Sequence, residues 1–177
     1  GAALAIAGAA ALPGLVLSVE SNRFFARDDT RAQAKQFVED HVPAGATVLI
    51  QPQSAPLQMS RAALVDALRH HLGDETRASV KFQYQMAATP YPSPAYRLIY
   101  LGDGGEDVDR TYISPRAIDA AGSLAPLQVQ GIEYVVLKRT NEPNPSFTVL
   151  EAALAREATR LTSFSPYRAG TPADVQA

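Results

Sequence analysis

Cysteine is missing altogether from the 177 residues, so neither a disulfide nor a thiolate metal site can form, and the redox compartment is left open. Charged side chains are few, 19% of the chain, and they balance to a net charge of −2. A protein that grips a phosphate backbone needs a basic excess; without one, nucleic acid is not an expected partner. Histidine is scarce, with three copies, and none has a recognisable motif around it. Internal repeats are lacking, and biased composition is confined to the Ala-rich start. What is present is apolar. Hydrophobic residues make up 46%, enough in a chain of this length for one core of ordinary size plus an apolar extension.

That extension is residues 1–19, Gly-Ala-Ala-Leu-Ala-Ile-Ala-Gly-Ala-Ala-Ala-Leu-Pro-Gly-Leu-Val-Leu-Ser-Val, a run without a single charge. Wound as a helix it measures about 28 Å, close to the thickness of a bilayer core. Ala and Gly outnumber Leu and Ile, and Pro13-Gly14 would kink it. No basic stretch precedes it, which favours the end of a transmembrane helix over a signal peptide or anchor; a helix packed on a soluble core is the third reading. The expected organisation is a membrane segment at 1–19, a juxtamembrane linker at 20–28, an α/β domain at 29–168 and a flexible tail at 169–177. Arg23, Arg27 and Arg31 would form a charged collar at the water boundary, or touch lipid phosphates there.

The domain is organised around residues 29–51. Thr30 with Gln33 reads as a capping box, and Ala34, Phe37, Val38 and His41 or Val42 fall on one helical face while Lys35, Gln36, Glu39 and Asp40 point to water. Pro43 and Gly45 stop that helix. Thr47 to Ile50 follow as an uninterrupted β-branched and aliphatic run, the pattern of a strand covered on both faces. Ser60 is placed to cap a helix with a Leu64, Val65, Leu68, Leu72 stripe closed by Gly73. Val80, Phe82 and Tyr84 alternate with Lys81, Gln83 and Gln85, which predicts a half-buried strand near a sheet edge. Residues 96–101 predict the next strand, and Gly102-Asp103-Gly104-Gly105 a tight reversal. Ser114-Pro115 would open a short helix, residues 124–130 would add a turn, and residues 132–137 predict a second buried strand. Ser146 would cap a last helix over 147–158, with a final strand over 159–164. The pattern as a whole predicts a three-layer α/β/α sandwich with a mainly parallel central sheet, preceded by the apolar helix.

Candidate sites are few. His70-His71 are neighbours on a helix, pointing about 100° apart, and cannot share a tetrahedral ion; imidazole near the negative pole of the helix is the plainer role. Asp103, Glu106, Asp107 and Asp109 surround a Gly-rich turn in the manner of oxygen-ligand calcium sites, but without the spacing of an EF-hand loop, so a solvated acidic hairpin is expected. Gly102, Gly104 and Gly105 do not make a dinucleotide fingerprint, because no helix follows to hold the phosphate. Ser54, Ser60, Ser114 and Ser146 sit at turns or helix caps, and His41, His70 and His71 offer them no recognisable base. No catalytic, cofactor-binding or metal residue is therefore assigned. The loops at residues 52–57 and 89–96 are expected at the rim of the sheet, the first at the carboxyl end of the first strand, where open α/β sheets place ligands.

Three short segments resemble a known family. Asp29-Thr30-Arg31, Ala34, Phe37-Val38, Val42-Pro43, Gly45 and Val48 resemble the "DTR…A…WI…IP.G..V" segment that follows the last membrane helix in bacterial glycosyltransferases of the GT-C superfamily, family 39-like, related to the protein O-mannosyltransferases and the lipid A aminoarabinose transferase. Gly131-Ile132-Glu133-Tyr134-Val135-Val136-Leu137 resembles that family's "GVDYVVLS" strand, and Phe164-Ser165-Pro166-Tyr167-Arg168 its "FSPF" ending. Phe37 stands where the family often has Trp, and Lys138-Arg139 where it often has Ser-Ser. The resemblance implies the extracytoplasmic C-terminal domain of a multi-span membrane enzyme that moves a sugar from a polyprenyl-phosphate donor. In that family the catalytic acid lies on the first outer loop, which nothing here matches. The domain would then be inactive alone, covering the membrane-embedded site or helping to select the acceptor, on the periplasmic or extracellular face of the plasma membrane. A signal-anchored α/β binding module is the alternative, and a small hydrolase a third reading.

Overall fold

The computed structural model describes residues 29–138 and 147–165. Helix α1 (Thr30–His41) forms where the periodicity places it, but its cap is Asp29: the Asp29 carboxylate accepts from the Arg31 N–H at 3.0 Å, and Thr30 is the first helical residue. A carboxylate at that position also meets the positive pole of the helix, an advantage a hydroxyl lacks. Val42 leaves the helix in an extended conformation ahead of Pro43, and Gly45 takes the left-handed conformation (φ +88°) that its missing Cβ permits.

Strand β1 (Thr47–Ile50) is buried along its whole length. It is flanked by β2 (Arg97–Leu101) and β4 (Tyr134–Val136), and β3 (Thr111–Ile113) lies outside β2; the order is β3-β2-β1-β4 and every pairing is parallel. The alternation of side chains along the strands divides the core in two. Val48, Ile50, Leu98, Tyr100, Tyr134 and Val136 face α1, α2 (Arg61–Leu72) and the Phe82 and Met86 side chains of α3 (Val80–Ala87). Leu49, Ile99, Leu101, Ile113 and Val135 face Ile118 of α4 (Pro115–Ala121), Leu127 of α5 (Ala125–Val129), and Leu150 and Ala153 of α6 (Thr148–Glu157). Helices thus cover both faces, which is why β1 reads as a continuous apolar run.

Local signals account for most boundaries. The Ser60 hydroxyl accepts from the Ala63 N–H at 3.3 Å to start α2, and Gly73 ends it at φ +77°. Ser114 caps α4 with Pro115 in the first turn. Five expectations need correction. The alternating stretch at 80–85 is helix α3, not a strand: the spacing of Phe82 and Met86 brings both onto the core, while Val80 and Tyr84 stand 64% and 76% exposed. Residues 102–105 do not turn a hairpin, since β2 and β3 run parallel and residues 102–110 carry the chain back along the sheet. The strand expected at 132–137 shortens to three half-buried residues, because β4 pairs only with β1 among the described residues and is an edge. Residues 159–164 join no ladder; they run exposed except Phe164, whose ring meets Phe37 edge-on at 6.0 Å. The last helix starts at Thr148 with Phe147 in the cap position. The leader at 1–19, Arg23, Arg27, Ser146 and the tail lie outside the described residues, and among the described ones no helix is long and apolar enough to cross a membrane.

Candidate functional site

The strand order defines where a ligand crevice would lie. From β1 the chain moves to β2 and β3 on one side and then to β4 on the other, so the switch point falls between the carboxyl ends of β1 and β4. Four residues build its floor and rim. The Gln51 N–H donates to the Val136 carbonyl at 3.0 Å, continuing the ladder past the strand end. The Lys138 N–H donates to Gln51 Oε1 at 2.8 Å, tying the exit of β4 to the exit of β1. The buried Ser54 hydroxyl donates to the Gln51 carbonyl at 2.7 Å and lies 3.4 Å from the Val136 carbonyl. Between them Gln53 is exposed and held at φ +67°, a conformation that costs a side-chain-bearing residue on the order of 1 kcal/mol or more.

Chemically this is a positioning surface. The Ser54 hydroxyl is directed at backbone carbonyls, and among the described residues no base is bonded to it as a nucleophile requires. Gln53 and the exposed Lys138 present amide and ammonium groups, which hold polar or anionic groups.

A second cluster lies on residues 102–110, the connection to β3. Arg110 places its guanidinium 4.8 Å over the Tyr100 ring, and its Nη1 reaches Asp107 at 2.8 Å and the Tyr112 hydroxyl at 3.5 Å. The Tyr112 hydroxyl donates to the same Asp107 oxygen at 3.0 Å. Burial pushes the Tyr100 phenol above its usual range. The Arg110 carbonyl meets His71 Nε2 at 3.0 Å, joining the connection to the end of α2. This cluster was not legible beforehand; its signal was the Tyr100–Tyr112 pair, set side by side by the register of β2 and β3 with the rings tilted 44° to each other.

The residues singled out by sequence are dispersed. His70 and His71 sit edge to face at 5.1 Å, with His71 engaged by Arg110, and His41 stacks on Phe37 at 4.2 Å. Among the described residues no group of acidic or imidazole side chains is arranged to hold a metal. Asp103 accepts from the Ser114 hydroxyl and lies 3.8 Å from Arg116, and Asp107 is paired with Arg110. The two loops expected at the rim lie at opposite ends of the sheet. Residues 51–55 leave from the carboxyl end, whereas the Ala95 carbonyl receives the Gly45 N–H at 2.8 Å and the Tyr91 hydroxyl donates to the Met59 carbonyl at 2.9 Å, both at the amino end. A shallow groove of about 570 Å³, lined by Val65, Glu75, Thr76, Gln83, Met86 and Ala87, opens between α2 and α3. Its one ionisable group, Glu75, is held at a pKa of about 2 by the two-pronged hydrogen bond from Arg69. Compared with protein-family models, curated proteins and solved structures, the chain matches none.

Proposed function

We propose that the chain is the extracytoplasmic C-terminal part of a membrane glycosyltransferase that uses a polyprenyl-phosphate sugar, with residues 1–19 as the end of its last transmembrane helix. In this reading the domain does no chemistry itself. It covers the membrane-embedded site or helps to select the acceptor, and the catalytic acid belongs to an outer loop elsewhere in the parent. The observation that carries the reading is convergence. The three segments that resemble the family are far apart in the chain, yet Val38, Val42, Val48, Tyr134 and Val136 share one core cluster, and Phe164 touches Phe37. Segments inherited together as one domain are expected to meet in this way.

A binding module held by a signal anchor is the second reading, favoured by the polar surface at the carboxyl ends of β1 and β4 with its strained, exposed Gln53. The coding sequence upstream of Gly1 separates the two. Many apolar segments and an acidic residue in the first outer loop support the transferase, whereas a start codon followed directly by Lys or Arg supports the anchor. Transfer of a sugar by the purified chain alone would refute the non-catalytic role.

A further inference from the structure

If the domain stands on a membrane, its two ends are not equivalent, and the path of α1 decides which one faces the lipid. The last turn of α1 lies at the amino end of the sheet: the Tyr96 hydroxyl, just before β2, donates to the Val38 carbonyl at 3.2 Å, and the Gly45 N–H bonds the Ala95 carbonyl. Only residues 42–46 separate α1 from β1, and Ala34, Val38 and Val42 all pack on the same sheet face as Val48 and Ile50. A connection that short makes neighbouring elements antiparallel, and twelve helical residues extend about 18 Å, so the first turn of α1 reaches the carboxyl ends of the strands. Asp29, where the chain arrives from the expected membrane segment, is therefore at the carboxyl edge.

We infer that the carboxyl edge of the sheet faces the phospholipid headgroup layer, and that the amino edge, with residues 43–45 and 89–95, points away. The inference rests on the membrane reading given above. It places Gln51, Gln53, Ser54 and Lys138 over the bilayer, where an acceptor passing to a membrane-embedded site would meet them, and removes the loop at 89–96 from contention. The edge carries exposed side chains of both signs, with Arg116 3.8 Å from Asp103 after β3 and β2 and Lys138 exposed at the exit of β4, so both the phosphate and the amine of a zwitterionic headgroup find partners there.

The absence of cysteine makes the test direct. Single variants Gln53→Cys and Lys138→Cys at the carboxyl edge, and Ala44→Cys at the amino edge, are made in the full chain, labelled with one fluorophore and reconstituted in phosphatidylcholine vesicles carrying a nitroxide on the headgroup. Lys138 serves as the second carboxyl-edge site because its exposed side chain is replaceable even if Gln53→Cys does not fold. The edges are separated by the length of β1 and its flanking turns, roughly 15 Å, so quenching at positions 53 and 138 is expected to exceed that at position 44 by about twofold or more. Equal quenching, or stronger quenching at position 44, in chain that floats with the vesicles overturns the orientation alone. Chain that does not float with the vesicles overturns the membrane reading, and the orientation with it.

Discussion

Tyr96 offers the most quantitative check on the packing of α1 against the sheet. Its side chain is fully buried in the cluster that joins α1, β1 and β2, and its hydroxyl is donated to the Val38 carbonyl in the last turns of the helix. Tyr96→Phe removes the hydroxyl and keeps the ring. The size of the loss turns on what Val38 is left with. Its carbonyl also accepts the Val42 N–H at 2.9 Å, so the substitution strands no acceptor and leaves no cavity large enough to matter. The cost is then the net worth of one neutral hydrogen bond, about 0.5–1.5 kcal/mol. For a chain of this size that corresponds to a drop in Tm of about 1–6 °C. Tyr96→Ala, by contrast, empties the ring site and should cost about 3–5 kcal/mol. Urea denaturation of both variants, followed by circular dichroism, measures the difference, with the slope on denaturant unchanged for the Phe variant. Burial, with Glu39 and Asp40 nearby, also raises the Tyr96 pKa. The folded state therefore holds the phenolic proton more tightly than the unfolded state, and the native protein loses stability as pH rises past about 10, the unfolded value. The Phe variant lacks that loss, so the gap between the two narrows at alkaline pH. A loss above about 3 kcal/mol for Tyr96→Phe would refute the reasoning, because it would mean the ring does not stay in place.

Three further outcomes follow from named contacts. Asp29→Ala should cost about 1 kcal/mol by removing the cap of α1, while Thr30→Ala should cost a few tenths at most; a reversed order in thermal melts would return the cap to Thr30. Val80→Lys and Tyr84→Gln, on the exposed side of α3, should each stay within about 0.5 kcal/mol of the parent, whereas a destabilisation of several times that would restore the strand. Glu75 titrates near 2 because Arg69 bonds its carboxylate, so its folded pKa lies below the unfolded value. The stability from this pair is complete above about 4.3, the unfolded pKa, and is lost as pH falls toward 2. The difference between the parent and Glu75→Gln should accordingly vanish over that window, and a carboxyl resonance of Glu75 titrating near 4.3 by NMR would contradict the pairing.

Signals that act within a few residues were legible in the chain itself. Pro43 and Gly45 stop a helix by backbone geometry, Ser60 and Gly73 bracket another, and the unbroken run at 47–50 announces a strand with both faces covered. The errors came where two local patterns compete. Residues 80–85 alternate like a strand and also carry Phe82 and Met86 four apart, and only the presence of α2 alongside makes the second pattern the one that buries area. The strand expected at 159–164 has the composition but joins neither edge of the described sheet, β3 or β4, and a strand without a ladder has nothing to hold it.

Of the candidate site, sequence alone supplied the loop after β1. The pairing of Gln51 with Lys138, the left-handed Gln53, and Arg110 laid over Tyr100 join residues that sequence keeps apart. Most helix starts and stops and the unbroken strand β1 were determined by the chain's own order, because backbone sterics and side-chain period act locally. Which strands became neighbours, which of them became an edge, and which loops share an end of the sheet were decided only in three dimensions, because those outcomes depend on what packs beside each element.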